Sequence, residues 1–283
     1  MKSIAVTGAN GLVGSQLCQY FSSHGWRVRP LVRRPGPDKF LCNLPGEIDP
    51  AGLADLDVLV HAAYPTRETD PARAQETNEE GTARLLQLSR EAKVGRFVLI
   101  SSISADENAP AVYGRTKVTV ERMLDPTRDL ILRPGLVLAA EGDGLFQRMR
   151  DMIARLPAIP LFGGGREVLQ TVHATDLCEA LLRALERSIT GTLSIAERSG
   201  PTYREFLGEI ASRLGRRTVF VPIPYAQSLF ALRVVEALGL RLPVSSENLR
   251  GLRALRAFDV SADLERIGLE PRSASESLAD VLR

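Results

Sequence analysis

The first half of the chain alternates short apolar runs with longer segments of helical periodicity. Each run has four to seven residues, mostly Val, Ile, Leu and Ala. Continuous apolar runs are typical of parallel strands whose two faces are both covered by helices. The pattern predicts strands at Ser3–Thr7, Trp26–Val32, Val58–Ala63, Arg96–Ser101 and Leu130–Arg133, and helices at about residues 12–24, 71–93 and 111–125.

Beyond Pro134 the pattern becomes more mixed, and glycines and prolines interrupt it. The predicted elements are a strand at Val168–Val172, a helix at about residues 174–187, a strand at Thr192–Ile195, and capping boxes at Thr202–Glu205 and Ser273–Glu276. We therefore predict an α/β fold, with a Rossmann-type doubly wound parallel sheet and a smaller C-terminal α/β substrate lobe. The predicted dinucleotide-binding domain comprises residues 1–155 and 174–196, and the predicted substrate lobe comprises residues 156–173 and 197–283.

A glycine-rich turn separates the first predicted strand from the first predicted helix. Glycine permits a sharp turn and a close approach of the backbone, and the amides of a helix N-terminus attract an anion. We expect this turn to hold the pyrophosphate of a dinucleotide; a glycine turn without a ligand is the alternative. The predicted contacts in the turn are Gly8, Asn10, Gly11, Leu12 and Gly14.

The end of the second predicted strand bears on the choice between NAD and NADP. An acidic residue there would accept a hydrogen bond from the ribose 2′-hydroxyl and would repel a 2′-phosphate. The sequence instead has Arg33 and Arg34, and arginine can bind a phosphate bidentately. We expect NADP(H) to be preferred over NAD(H), and two solvated surface arginines are the alternative.

Tyr113 and Lys117 are four residues apart, so on a helix they lie on one face. A free tyrosine titrates near pKa ~10, and a neighbouring ammonium favours its phenolate. A hydroxyl at the end of the preceding strand, Ser101 or Ser102, could polarise a substrate carbonyl. The residues therefore indicate proton transfer beside a nicotinamide ring, and an ordinary surface pair is the alternative.

These residues resemble the short-chain dehydrogenase/reductase superfamily, in particular its extended, epimerase/dehydratase-like branch. The resemblance covers about the first 190 residues. Its motifs are TGANGLVG at 7–14, VHAA at 60–63, NEEGTARLL at 78–86, FVLISSIS at 97–104, YGRTK at 113–117, LRPGLV at 132–137 and VHATD at 172–176.

The resemblance implies roles for individual residues. Tyr113 is expected to be the general acid/base, Lys117 its electrostatic partner, and Ser102, rather than Ser101, the substrate orienter. Tyr113 and Lys117 are also expected to contact the cofactor. The resemblance implies further cofactor contacts at Glu47, Ile48, Ala62, Ala63, Asn78, Pro134 and Leu136, with Glu47 and Ile48 flanking the adenine.

The predicted function is NAD(P)-dependent hydride transfer between a nicotinamide and a carbonyl or secondary alcohol. Ser102 and Tyr113 are eleven positions apart, whereas nucleotide-sugar epimerases usually have a longer insertion there. The segment 168–173 also lacks the arginine that such enzymes often place there. A nucleotide-sugar epimerase or dehydratase with retained NAD stays open, as does a non-catalytic NAD(P)H-binding sensor or assembly factor.

Composition adds few constraints. The chain of 283 residues is 44% hydrophobic and 25% charged, and its net charge of +2 gives no reason to expect a nucleic-acid or membrane partner. Three scattered cysteines predict reduced thiols, and the spacing of the three histidines predicts no metal site. The absence of a long apolar run and of a leader before the first strand predicts a cytoplasmic enzyme acting on a small molecule.

One apolar helix surface has more than one interpretation. Its residues are Leu229, Phe230, Leu232, Val234, Val235 and Leu238. Core packing is the favoured interpretation, while a homodimer seam and a wall for a lipophilic substrate stay open. Three arginines at 250, 253 and 256 recur every three residues nearby and predict a solvated helix face, with a phosphate-bearing substrate as the alternative.

Overall fold

The computed structural model describes residues 1–64, 73, 75–237, 246–253 and 255–283. Seven strands form the central sheet, and every neighbouring pair in it is parallel. These strands are β1 (Ser3–Thr7), β2 (Arg27–Val32), β3 (Phe40–Leu41), β4 (Val58–His61), β5 (Arg96–Ile100), β6 (Leu130–Pro134) and β10 (Gly191–Ile195). Their order across the sheet is β3-β2-β1-β4-β5-β6-β10, a doubly wound Rossmann-like arrangement.

Helices cover both faces of this sheet, which explains why its inner strands are mostly apolar. All five residues of β1 and all four of β4 are buried. The helices are α1 (Leu12–Ser23), α2 (Gly81–Glu91), α3 (Val112–Glu121), α4 (Leu145–Arg155), α5 (Ala174–Glu186), α6 (Tyr203–Arg213), α7 (Tyr225–Ala237), α8 (Ser246–Arg253), α9 (Ser261–Ile267) and α10 (Ala274–Val281). Two short turns of helix lie at Pro50–Gly52 and Glu76–Glu80.

A second hydrophobic core lies beside the main one. Two small parallel sheets border it, namely β7 (Leu136–Leu138) with β9 (Thr171–His173), and β8 (Ala158–Phe162) with β11 (Val219–Ile223). Phe146 and Ile153 of α4 pack in this core with Phe206 and Leu278. The predicted boundary at residue 155 had assigned α4 to the dinucleotide domain. Conversely, Leu264 of α9 packs in the core under the main sheet.

The predicted strands of the first half are all present, each within two residues of its predicted bounds. Both capping boxes are also present. The predicted strand Val168–Val172 was wrong in its bounds: the strand is Thr171–His173, because only these residues pair with β7, while the amide of Leu169 donates to the carbonyl of Pro201. Part of the predicted helix at 71–93 lies outside the described residues. Leu238 of the apolar helix surface also lies outside them.

None of the helices within the described part of the chain has the length and apolar content to span a bilayer. Across those same residues, no three His, Cys, Asp or Glu side chains form a group that could bind a metal ion. All three cysteines are free thiols. Burial raises their pKa, to about 11 for Cys18 and about 12 for Cys42 and Cys178.

Candidate active site

The glycine turn lies at the carboxyl end of β1, in the middle of the sheet. Gly8 has φ +66°, and a Cβ there would be 2.8 Å from the Cα of Ala63. A Cβ on Gly14 would collide with the carbonyl oxygen of Gly8. Gly11 precedes the first residue of α1 and has no side chain to cap its amides. The turn therefore fits a dinucleotide pyrophosphate, which needs close backbone approach and open helix N-terminal amides.

A buried chain of hydrogen bonds fixes the neighbouring strand end. Thr82 donates to the carbonyl of Asn78, so it accepts from Nε2 of His61 at 3.0 Å. Nδ1 of His61 then accepts from Thr7 at 2.8 Å, and Thr7 in turn accepts from the amides of Ala62 and Ala63. Burial lowers the pKa of His61 to about 3, so this histidine is neutral and structural.

Three basic side chains lie near the carboxyl end of β2. Arg33 and Arg34 are exposed in the loop directly after the strand. Lys39 follows in the same loop, and its Nζ donates to Oδ1 of Asn10 at 3.0 Å. Sequence reasoning missed Lys39, because its link to the glycine turn joins residues 29 positions apart.

The remaining predicted cofactor contacts occupy two places. Pro134 ends β6 next to the proposed substrate-orienting loop, since its carbonyl accepts from the amide of Ile103 at 3.1 Å. Leu136 follows in β7. Asn78 is buried in the turn Glu76–Glu80, which precedes α2. This turn packs against α3. Glu47 and Ile48 lie farther out, beyond the edge strand β3, where Ile48 is buried and Glu47 is exposed.

Helix α3 places Tyr113 against the loop that follows β5. Gly114 permits this contact, because a Cβ there would be 2.5 Å from the carbonyl oxygen of Ser104. The Ser102 hydroxyl bonds to the Tyr113 phenol and also accepts from the amide of Ser104 at 3.1 Å. Tyr113 is 37% exposed, and the buried part of its ring raises the pKa of the phenol while Ser102 lowers it, with a net increase. Tyr113 is therefore a protonated phenol at neutral pH, suited to donating a proton.

Lys117 lies one turn farther along α3 and is 5% exposed. Its Nζ donates to the carbonyl of Ile100 at 3.0 Å and lies 5.8 Å from the centre of the Tyr113 ring. Burial lowers the pKa of Lys117 to about 8, and Glu121 opposes that decrease. The lysine is thus still charged at neutral pH, and it loses its proton as the pH rises through about 8.

Ser101 and Ser102 have different environments, which separates the two candidate hydroxyls. Ser101 is 4% exposed and donates to the Glu121 carboxylate. The same carboxylate accepts from Nε of Arg133 at 2.9 Å and from a second guanidinium nitrogen of that residue. Ser101 thus supports the site from behind, while Ser102 is the hydroxyl that meets Tyr113. Sequence reasoning did not predict the contact between Glu121 and Arg133, because no single motif contains both residues.

Glutamine at position 121 should move the alkaline loss of activity to lower pH. The negative charge of Glu121 raises the pKa of Lys117, so without it the ammonium loses its proton earlier, by about one pH unit. The measurement is kcat across the range pH ~6 to ~9. Glu107→Gln is the control, since Glu107 is an exposed carboxylate paired with Arg122. An alkaline limb at the same pH in E121Q and the unmodified enzyme would contradict this role.

Comparison with known proteins decides the family. Residues 4–196 match the NAD dependent epimerase/dehydratase family. The chain belongs to this family. It is therefore an enzyme that uses a nicotinamide dinucleotide, and the glycine turn is the part of the fold suited to hold it.

Relatives within and around this family include reductases. A ceramide reductase from Caulobacter vibrioides is 28% identical over 252 residues, covering 83% of this chain and 77% of its own. A 4-hydroxy-2-methyl-3-oxo-4-farnesyl-3,4-dihydroquinoline-1-oxide ketoreductase from Stigmatella aurantiaca is 28% identical, covering 82% of this chain and 79% of its own. The structure of human epimerase family protein SDR39U1 (isoform 2) with NADPH aligns with a TM-score of 0.75 at 21% identity, covering 99% of both chains.

Proposed function

We propose that this enzyme is an NADP(H)-preferring reductase of lipophilic ketones. The observation that carries the proposal is the arrangement of Ser102, Tyr113 and Lys117 at the carboxyl end of the sheet, beside the glycine turn. When bound, the nicotinamide supplies a hydride to the carbonyl carbon. Ser102 donates a hydrogen bond to the carbonyl oxygen, Tyr113 delivers a proton to that oxygen, and the Lys117 ammonium stabilises the phenolate that remains.

A pair of helices next to this site supports the substrate class, because the first of them has exposed apolar side chains. Helices α7 and α8 contact each other at both of their ends. At one end the Arg253 guanidinium is 4.6 Å from the centre of the Tyr225 ring, and at the other the Ser246 amide donates to Glu236 at 2.6 Å. Helix α8 packs against α3 near Ala111, the residue before the catalytic helix.

The pair of helices has both buried and exposed apolar side chains. Leu232 and Leu249 are buried, whereas Phe230 is 72% exposed. Phe230 and Val234 thus give α7 an exposed apolar surface of the kind that binds an apolar chain. The two relatives named above act on ceramide and on a farnesylated quinoline oxide, so their names agree with a substrate that has a long apolar part.

The segment 168–173 argues against a nucleotide sugar. Gln170 is 1% exposed, and its side chain is used by backbone groups: it donates to the carbonyls of Glu197 and Phe258 and accepts from the amide of Phe258. The side chain of Gln170 is thus engaged within the protein and is not free to bind a diphosphate.

The function is tested by supplying NADPH with three groups of compounds: long-chain ketones, short-chain ketones and nucleotide sugars. We expect NADPH oxidation with long-chain ketones at a kcat/KM at least ~10-fold above that for short ones, since each buried CH₂ contributes about 0.8 kcal/mol. Conversion of a nucleotide sugar without NADPH consumption would instead identify an epimerase. Tight cofactor binding without turnover of any compound would identify a sensor.

Replacing Arg33 and Arg34 together with alanine should raise the KM for NADPH by ~10-fold or more, while the KM for NADH changes less than ~2-fold. The reason is the loss of the two guanidinium groups that would bind the 2′-phosphate. Initial rates against each cofactor measure the effect. Arg155→Ala, which removes an exposed arginine at the end of α4, is the control. Equal changes for both cofactors would contradict the assignment.

A further inference from the structure

Tyr64 touches three residues of the catalytic helix, of which Thr116 and Lys117 are buried and Tyr113 is 37% exposed. It follows the Ala62–Ala63 pair at the carboxyl end of β4 and is half-buried. Its ring meets the Tyr113 ring edge to face, with the centres 5.1 Å apart and the planes at 76°. Its face covers Lys117, whose Nζ is 4.2 Å from the ring centre. Its hydroxyl hydrogen-bonds the side chain of Thr116.

These contacts meet on one face of α3. Tyr113, Thr116 and Lys117 are spaced three and four residues apart, so they are adjacent on the helix surface. Thr116 and Lys117 are each 5% exposed. The ring of Tyr64 lies against both the Lys117 ammonium and the Tyr113 ring, so the ring itself sets how these two groups are placed.

We propose that Tyr64 is a positioning residue, which holds the Lys117 ammonium and the Tyr113 phenol in the arrangement that proton transfer requires. The inference rests on the proposed function, because it concerns the proposed proton donor and its lysine. The electron-rich ring face stabilises the ammonium where water is excluded. The edge-to-face contact restricts the orientation of the Tyr113 ring.

The charged and titratable groups around Lys117 define what Tyr64 adds. Glu121 and Tyr113 lie on the same helix, His61 faces the lysine from β4, and Glu79 acts on Tyr64 from the turn before α2. Glu121 favours the ammonium, whereas burial disfavours it and lowers the pKa of Lys117 to about 8. His61 is neutral, so it contributes little charge. Removing the aromatic face should therefore make the ammonium less stable.

The chain allows a direct test, because it has only four lysines: Lys2, Lys39, Lys93 and Lys117. Labelling lysine with ¹³C at Cε gives few NMR signals, and the titration of Lys117 can be followed without any substrate. We expect Tyr64→Leu to lower the pKa of Lys117 by about one pH unit, and Tyr64→Phe to leave it unchanged because the ring is kept. Tyr20→Leu is the control, since Tyr20 is a half-buried tyrosine that stacks on His24.

Kinetics provide a second measurement on the same variants. With a ketone substrate, Tyr64→Leu should lower kcat about 10-fold with less than a ~2-fold change in the KM for NADPH, and Tyr64→Phe should keep kcat within ~3-fold. The split between kcat and KM distinguishes positioning from a general loss of structure. Circular dichroism checks folding, and Tyr64→Met fills a similar space if the leucine variant does not fold.

The two proposals fail in different ways. If the unmodified enzyme reduces no ketone but the Lys117 titration still depends on the ring at position 64, the proposed function is wrong and the positioning role stands. If Tyr64→Leu and Tyr64→Met both give the unmodified titration curve of Lys117, the positioning role is overturned, whatever the substrate.

Discussion

Replacing Tyr113 with phenylalanine should lower kcat by at least ~100-fold, the scale of general acid catalysis. The substitution removes one oxygen and keeps the ring that packs against Tyr64. The site then lacks the phenol proposed to deliver a proton to the carbonyl oxygen, although Ser102 is still present to orient the substrate. The KM for NADPH should change little, because the glycine turn is untouched.

Steady-state kinetics with NADPH and a long-chain ketone measure this loss. Tyr20→Phe, which removes the hydroxyl of a tyrosine on α1, is the matched control and should retain full activity. A Tyr113→Phe enzyme with undiminished kcat would remove Tyr113 from the reaction. It would also leave the bond between Ser102 and the Tyr113 phenol without a catalytic purpose.

Alanine at position 14 should weaken cofactor binding by ~100-fold or more. A methyl group there collides with the carbonyl oxygen of Gly8, so the turn must open and move its amides away from the pyrophosphate. The obstacle is backbone on both sides, which has no rotamer to relieve it. The dissociation constant of NADPH, measured by fluorescence or calorimetry, reports the change.

Gly208→Ala is the matched control for that substitution. Gly208 lies within α6, and an added Cβ there has nothing within 4 Å. Because alanine is the better helix former, G208A should keep cofactor affinity and stabilise the protein by roughly 0.5–1 kcal/mol. If G14A binds NADPH as tightly as the unmodified enzyme, the turn is not the pyrophosphate site.

Local patterns in the sequence were enough to predict the scaffold of the site. The turn from Gly8 to Gly14 follows from glycine spacing between a strand and a helix, and the four-residue spacing of Tyr113 and Lys117 follows from helix geometry. Helix α4 was missed, although Phe146, Met149 and Ile153 form an amphipathic pattern that could have predicted it. Glycine spacing and helical spacing are patterns among residues that are close in the sequence, so they can be recognised without the fold.

The rest of the site depends on contacts between distant parts of the chain. Tyr64 meets Tyr113 across 49 positions, and Lys39 meets Asn10 across 29. Residue chemistry alone does not distinguish Ser101 from Ser102. The contact that does so is the hydrogen bond from Ser101 to Glu121, which lies 20 positions away. Such pairs have no fixed spacing, because the order of strands in the sheet brings them together. Their discovery therefore requires the fold.

The hydride itself gives the most direct test of the central claim. The enzyme is incubated with a long-chain ketone and NADPH that has deuterium in both positions at C4 of the nicotinamide, and the product is analysed by mass spectrometry. The account predicts one deuterium in the alcohol for each NADPH consumed. In Tyr113→Phe, the formation of the deuterated alcohol and the consumption of NADPH should both be lost. A nucleotide sugar that changes configuration without deuterium uptake or NADPH consumption, while ketones are left unreduced, would contradict it.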